Sequence, residues 1–299
     1  MRLVAVTLIL VAILMAAGCD EPQGLDDVWG SSSSDVFTVG TSGTIVHYDG
    51  REWRETTSGT TNFIGGVWGV SPSDVFAVGS RRTILHYDGS EWSRMVSSVL
   101  FRQSDDVWGS SSSDVFAVGT SGIILHYDGQ AWDEMTSGTK SRLFDVWGTS
   151  SSDVFAVGDS GIILHYDGTK WSEMASGTTA GLKSVWGTSS SNIFAVGDSG
   201  TILHYNGTGW SEMVSGISSV LHGIWGSSSS DVYVVGDSGT ILNYDRTGWS
   251  EMTSGTTANL KGVWGSSSSD VFVVGSVETI LHYDGREWSS STGWSTSEE

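Results

Sequence analysis

The sequence has little of what several protein classes depend on. It contains one cysteine, Cys19, and two prolines in 299 residues, so no disulfide can form within the chain. Lys and Arg number 14 against 34 Asp and Glu, which gives a formal net charge of −20. An acidic chain of this kind lacks the basic surface that nucleic-acid binding requires. Apart from the first residues, no segment has the periodicity of an amphipathic helix.

The N-terminus predicts export. An apolar run at residues 3–15 follows Met1-Arg2 and has the length of a signal peptide rather than of a membrane span. Small residues at 16–18 precede Cys19 and resemble a lipobox. We therefore expect a lipoprotein-type signal peptide at 1–18, a lipid on Cys19 and a short tether at 19–24 of about 20 Å at most. Ordinary secretion, with cleavage near Ala17, is the alternative.

The chain after the tether repeats one unit seven times. The Trp of a Val/Ile-Trp-Gly motif recurs at intervals of 39 or 40 residues, at Trp29, Trp68, Trp108, Trp147, Trp186, Trp225 and Trp264. A second Trp follows each of these by 24 residues, at Trp53, Trp92, Trp132, Trp171, Trp210, Trp249 and Trp288. Repeats of roughly 40 residues are typical of propeller blades.

Each unit is predicted to contain four short strands. In the fourth unit these are 143–147, 153–157, 162–166 and 171–174, separated by Gly-, Ser- and Asp-rich turns. The strands are apolar on both faces, so each sheet must be covered on both sides. A ring of blades does this without helices. The sequence therefore predicts an all-β, seven-bladed β-propeller at 25–290, with blades in phase with the repeat, and a polar tail at 291–299.

The turn between the third and fourth strands carries a family resemblance. Five copies read His-Tyr-Asp-Gly-x-x-Trp, at 47–53, 86–92, 126–132, 165–171 and 282–288. This resembles Asp-box (BNR) propellers, and in particular photosystem-II stability/assembly-factor-like repeats. His stands where that box has Ser or Thr, and the Asp-to-Trp interval is one residue shorter. The resemblance implies a propeller with its Asp turn on the lower rim of each blade, and together with the lipobox it suggests a bacterial lipoprotein built of such repeats. The function of the family does not transfer, because such blades serve assembly factors, lectins and glycosidases alike.

Repeated polar residues are expected to be structural. A third-strand His recurs on six blades, and packed sheets lie about 10 Å apart, too far for these side chains to share a metal ion. A hydrogen-bonded structural role is therefore favoured over a metal site, and no cofactor is predicted. The recurring residues are His47, His86, His126, His165, His204 and His282.

Unrepeated residues concentrate on one predicted face of the ring. They lie in the links between blades and in the turn after the second strand, and they include Arg81, Arg82, Phe101, Arg102 and Arg142. A further column lies two residues before each Val/Ile-Trp, where it would surround the channel mouth if the first strand is innermost. Its members are Asp26, Gly65, Asp105, Phe144, Lys183, His222 and Lys261. The acids of this column fall on blades 1 and 3 and its basic residues on blades 5 to 7, so the sequence predicts a mouth with an acidic side and a basic side, which suits a polar ligand or the charged patch of a partner. A binding face and free drift of exposed loop ends both explain this variety.

Three functions are compatible with this pattern. The first is a non-catalytic, monomeric binding or assembly scaffold, anchored to the inner or outer membrane on its periplasmic or outer side, that engages a protein or an envelope glycan. The second is a multivalent lectin with a weak site in each groove between blades. The third is a glycosidase or lyase, for which Asp26 and Asp105 are the only carboxylate pair that the unrepeated column offers.

Overall fold

The computed structural model describes residues 24–291 and 294–295. The predicted signal peptide, Cys19 and most of the tether lie outside the described residues, as does the rest of the tail. Within the described part, seven four-stranded antiparallel sheets form a closed ring. This confirms the predicted seven-bladed β-propeller. No helix among the described residues is both long enough and apolar enough to cross a membrane.

The 28 strands follow the repeat. Blades 1 to 4 contain β1 (Leu25–Ser32), β2 (Asp35–Gly40), β3 (Ile45–Tyr48), β4 (Trp53–Glu55), β5 (Ile64–Ser71), β6 (Asp74–Gly79), β7 (Thr83–Tyr87), β8 (Trp92–Arg94), β9 (Ser104–Ser111), β10 (Asp114–Gly119), β11 (Ile124–Tyr127), β12 (Trp132–Met135), β13 (Leu143–Ser150), β14 (Asp153–Gly158), β15 (Ile163–Tyr166) and β16 (Trp171–Met174).

Blades 5 to 7 contain β17 (Leu182–Ser189), β18 (Asn192–Gly197), β19 (Ile202–Tyr205), β20 (Trp210–Met213), β21 (Leu221–Ser228), β22 (Asp231–Gly236), β23 (Ile241–Tyr244), β24 (Trp249–Glu251), β25 (Leu260–Ser267), β26 (Asp270–Gly275), β27 (Thr279–Tyr283) and β28 (Trp288–Ser291). Single 3-10 turns follow the second strand of five blades, at Thr41–Gly43, Thr120–Gly122, Asp159–Gly161, Asp198–Gly200 and Asp237–Gly239.

Each sheet is built from four consecutive strands, so no blade borrows a strand from the other terminus. The predicted phase of ring closure is therefore correct. The first strands contact one another around the ring, with β25 against β1, which places them innermost. In blade 4 the first strand runs three residues further than predicted, because Gly148 and Ser150 continue the pairing with β14.

The core lies between blades and repeats with them. A second-strand aromatic ring of one blade packs against the fourth-strand Trp of the next. Phe37 and Trp92 meet edge to face with centroids 6.0 Å apart. Phe272 of blade 7 meets Trp53 of blade 1 in the same way at 6.1 Å, so the closing interface uses the contact found elsewhere in the ring.

The repeated His column is structural, as predicted. His165 Nε2 lies 2.7 Å from Asp153 Oδ1, and its ring stacks on Phe155 with centroids 4.4 Å apart. In blade 6, Asn243 replaces the His and donates its amide to Asp231 at 3.1 Å. The polar pair joins the third strand to the start of the second strand in every blade, which satisfies half-buried groups within the blade itself.

The tail contributes to ring closure. The Glu55 N–H donates to the Ser295 carbonyl at 3.0 Å, and the Ser295 N–H donates to the Trp53 carbonyl at 3.2 Å. Ser295 thereby pairs with the outer strand of blade 1, while Trp294 packs against the core between blades 7 and 1. Trp294 is the one tryptophan that the repeat does not explain, and it covers the junction between the last and first blades.

Candidate functional site

The two faces of the ring differ in what they carry. Leu143 at the start of a first strand pairs with Gly158 at the end of the second, so the links between blades and the turns after second strands share one face. We call this the variable face. The other two turns of each blade meet on the opposite, constant face. There a Cβ on Gly168 would lie 2.7 Å from Ser152 Cβ.

The central channel holds a cavity of about 420 Å³ lined by first strands of all seven blades. This volume lies within the range of small-ligand sites. The structure brings seven of the predicted site residues to this one cavity, namely Asp26, Asp105, Arg142, Phe144, Lys183, His222 and Lys261.

A β-bulge positions the predicted column. In blade 1, Leu25 pairs with Gly40 and Asp27 pairs with Val39, so Asp26 is the extra residue. The same shift occurs at the same place in the other six blades. A bulge turns its side chain away from strict alternation, which allows the bulged residue and its successor to line the channel together.

Blades 3 to 5 form a chain of polar and aromatic contacts at the mouth. The Arg142 guanidinium donates Nε to Asp105 Oδ2 at 2.8 Å and Nη2 to Oδ1 at 2.5 Å. The Arg142 guanidinium also lies 4.8 Å from the Phe144 ring centroid, and Lys183 Nζ lies 3.9 Å from that centroid. Cations held over an aromatic face in this way gain a cation–π attraction.

Blades 6 and 7 continue the chain. His222 Nε2 lies 2.7 Å from Asp237 Oδ1 and 2.9 Å from Lys261 Nζ. Burial is the main reason that the pKa values of His222 and Lys261 are both lower than usual. Burial also raises the pKa of Asp26 to about 6, although the charge of Lys261 opposes this.

The mouth is therefore not divided into a basic half and an acidic half. Besides the Asp105–Arg142 pair, Lys183 Nζ lies 3.5 Å from Asp198 Oδ1, and Lys261 Nζ lies 4.0 Å from Asp237 Oδ1. Each cation has an acid from the first strand or the turn beside it. Such a belt of alternating charges offers donors and acceptors to a polar ligand without strong attraction for one sign of charge.

A second column was missed from the sequence. Asp27, Asp106 and Asp145 line the channel one position deeper. Each carboxylate accepts a backbone N–H from the next blade, from Val67 at 2.8 Å, Val146 at 3.1 Å and Val185 at 2.8 Å, respectively. These carboxylates join neighbouring blades. Burial raises the pKa of Asp27 to about 7 and that of Asp106 well above its usual value.

The contacts of Asp105, one of the two carboxylates of the enzyme hypothesis, do not favour a catalytic role. Asp105 has both carboxylate oxygens occupied by Arg142 and accepts a further bond from Gln103 at 2.7 Å, so it is not placed as a free nucleophile or base. Among residues 24–291, 294 and 295, no group of three or more His, Cys, Asp or Glu side chains is arranged to hold a metal ion.

Four predicted site residues lie elsewhere. Phe101 is only 6% exposed and packs in the core between blades 2 and 3, so it does not face a partner. Arg81, Arg82 and Arg102 are exposed on the variable face at the rim of blade 2, outside the channel.

Comparison with known proteins shows the fold. No protein-family model matches the sequence, and no curated protein matches it either. A structure described as YCF48 bound to D1 peptide is 17% identical, with a TM-score of 0.73 over 88% of this chain and 92% of its own. YCF48 from Cyanidioschyzon merolae is 16% identical, with a TM-score of 0.73 over 90% and 98%. The WD40 propeller domain of Doa1 is 13% identical, with a TM-score of 0.75 over 92% and 96%.

Proposed function

We propose that this protein is a non-catalytic, membrane-tethered scaffold that holds a segment of a partner protein at the channel mouth on its variable face. One observation carries the proposal. In a molecule built from seven near-copies, the bulged position facing the channel is occupied by different residue types, and these residues line a single cavity. One cavity with unrepeated residues suits one partner, whereas a repeated site would suit several copies of a ligand.

The chemistry of the mouth favours a polar peptide. Phe144 offers an aromatic face, and the paired cations and carboxylates offer hydrogen bonds in both directions. Peptide backbone and side chains carry donors and acceptors together, which matches an alternating belt better than a strongly charged ligand does. The likeness to a propeller described as bound to D1 peptide supports a protein partner.

Pull-down from an envelope extract tests this function. The bait is protein purified from a chain with Cys19→Ser, which cannot be lipid-modified at that residue. We expect the parent to capture a partner that a Lys183→Glu/Lys261→Glu variant does not. The matched control is Lys170→Glu/Arg286→Glu, which makes the same charge change in exposed turns of the constant face. Equal capture by both variants, or loss with the control alone, would contradict the proposal.

The tether is a separate part of the proposal. The lipobox-like residues before Cys19 support export and lipid modification at that residue, which would keep the propeller at the cell envelope. Growth with a radiolabelled or clickable fatty acid tests it directly. We expect label on the parent and none on Cys19→Ala; label on both, or on neither, would refute modification at Cys19.

A lectin-like function is the second candidate because one groove recurs. In blades 1 and 6 the turn after the second strand and the loop after the fourth strand border open grooves of about 620 and 790 Å³, lined mostly by Ser, Gly and Thr together with Glu55 and Glu251, respectively. The Ser-Gly-Thr or Ser-Gly-Ile loop occurs after five of the seven blades, at 58–60, 137–139, 176–178, 215–217 and 254–256. Titration of a glycan with a stoichiometry near five would favour this function over a single channel site.

A further inference from the structure

Among the described residues, one surface combines several exposed arginines with exposed aliphatic side chains. Arg81, Arg82, Arg94 and Arg102 are four of the 14 cations of the chain, and no Asp or Glu occurs at 79–87 or 92–103. We call these four residues, with Val96 and Leu100, the blade 2 rim. It is a local positive surface on a protein of net charge −20, and because screening limits such fields to about 8 Å, the local charge governs contacts there.

Backbone contacts hold the blade 2 rim together. The Arg81 N–H donates to the Arg102 carbonyl at 2.7 Å, and Arg94 Nη2 donates to the Arg82 carbonyl at 3.2 Å. The turn after the second strand and the link to blade 3 therefore lie side by side. All four guanidinium groups belong to exposed residues.

The link presents apolar side chains to solvent as well. Phe101 anchors it in the core between blades 2 and 3. Val96 and Leu100 point the other way and are 88% and 74% exposed. Exposed aliphatic side chains among arginines are typical of surfaces that bind the interface of a lipid bilayer, where the aliphatic groups enter the boundary and guanidinium groups bind phosphates.

The local loop structure explains why arginines are possible here. In blade 4 the residue at the position of Arg82 is Gly161, on which a Cβ would lie 2.2 Å from the Thr178 carbonyl oxygen. Blade 2 lacks the Ser-Gly-Thr loop that supplies this carbonyl. Arg81 and Arg82 keep the left-handed backbone of this turn, with φ of 53° and 62°, and the different loop allows a residue larger than glycine at position 82. Arg81 takes the place of Ser160, which also has a positive φ, of 59°.

Gly24, the first residue that the structure describes, lies on the same face. Gly24 donates its N–H to Thr41 Oγ1 at 3.0 Å, and the Thr41 N–H donates to the Gly24 carbonyl at 3.0 Å. These bonds fix Gly24 on the variable face of blade 1, next to blade 2. Residues 20–23 alone separate Gly24 from Cys19, so a lipid on Cys19 would hold this face within about 20 Å of the bilayer.

We propose that the blade 2 rim binds the anionic phosphates of a lipid bilayer and orients the variable face toward the membrane. The orientation depends on the proposed tether, whereas lipid binding by the rim does not. In this arrangement the channel mouth opens toward segments of proteins that emerge from the same membrane.

Flotation with lipid vesicles tests the rim in the absence of the tether. The protein carries Cys19→Ser, and the vesicles contain phosphatidylcholine alone or with roughly a third phosphatidylglycerol. We expect binding to the anionic vesicles only, and release by high salt. Arg81→Ser/Arg82→Gly, which restores the residues of most other blades, should weaken binding about 30-fold, and Leu100→Ser should weaken it further.

The matched control is Arg51→Ser/Arg286→Thr, which removes the same charge from constant-face turns and installs residues found there in other blades. Its binding should equal that of the parent. Equal loss in the control, no loss in the rim variant, or binding to an acidic peptide but not to anionic vesicles would each overturn the proposal. Fatty-acid labelling at Cys19 is measured in a separate experiment. Vesicle binding without labelling would therefore refute the tether but not lipid binding by the blade 2 rim.

Discussion

Trp264 of the last blade packs over Gly30 of the first. A Cβ on Gly30 would lie 2.7 Å from both Cη2 and Cζ3 of the Trp264 ring. The same contact joins neighbouring blades, as between Trp29 and Gly69. The Trp-Gly motif is thus an inter-blade contact, in which each glycine makes room for the tryptophan of the blade before it, and the pair between blades 7 and 1 closes the ring.

Gly30→Ala tests this closure. Because the added methyl group would force the Trp264 ring to move, we expect a loss of about 1–3 kcal/mol in the free energy of unfolding, measured by urea denaturation. Gly209→Ala is the matched control, since a Cβ there meets nothing within 4 Å. Equal stability of the two variants would show that the tryptophan contact does not close the ring.

Nested truncations test the tail. A chain ending at residue 291 loses Trp294 and the two backbone hydrogen bonds of Ser295, so its free energy of unfolding should fall by about 1–2 kcal/mol. A chain ending at residue 295 keeps these contacts and should match the full chain. If both truncations were equally stable, Trp294 would have no role in closing the ring.

Stability should rise as the solution is made mildly acidic. Burial raises the pKa of Asp27 to about 7 and that of Asp26 to about 6, whereas both titrate near 4 in the unfolded chain. Between about pH 4 and pH 7 the folded state therefore binds more protons than the unfolded state. The protonated carboxyl groups of Asp26 and Asp27 contribute their full stabilisation below about pH 4, and this contribution is lost as the pH rises to about 7. His222 has the opposite effect. Because folding lowers its pKa, the neutral ring contributes stability above about pH 6.5, and this contribution is lost as the pH falls below that value.

Asp27→Asn isolates the carboxyl contribution, because the amide oxygen can still accept the Val67 N–H. Melting temperatures at pH 5 and pH 8 should differ less for the variant than for the parent. An unchanged difference would mean that the Asp27 carboxyl does not titrate in this range.

The fold followed from the sequence because the repeat constrains it at every level. Spacing of 39 or 40 residues set the size of the blade, strands apolar on both faces required neighbours on both sides, and the complete first and last copies predicted the phase of closure. The structural role of the repeated histidines was also predictable, since one residue copied onto separate blades cannot assemble a single site.

The candidate site was predictable only in part. Strict alternation along a strand would send Asp26 and Asp27 to opposite faces, and the bulge at Asp26 brings both to the channel. One feature of the sequence was consistent with close packing at this position. Blade 2 has Gly66 where blade 1 has Asp27, and in the structure a Cβ on Gly66 would lie 2.7 Å from Asp106 Cα of the next blade. The ion pairs of Lys183 and Lys261 with aspartates of the turns could not be predicted from the sequence either, because they depend on how adjacent blades pack.

The most direct test of the binding function is site-specific photo-cross-linking in cells. A benzoylphenylalanine is placed at Phe144, in the channel mouth, or at Gln130, in an exposed turn of the constant face. The predicted result is one protein adduct from position 144 that is lost with Lys183→Glu, and none from position 130. An adduct from position 130, or no adduct from position 144, would contradict a binding site at the channel mouth.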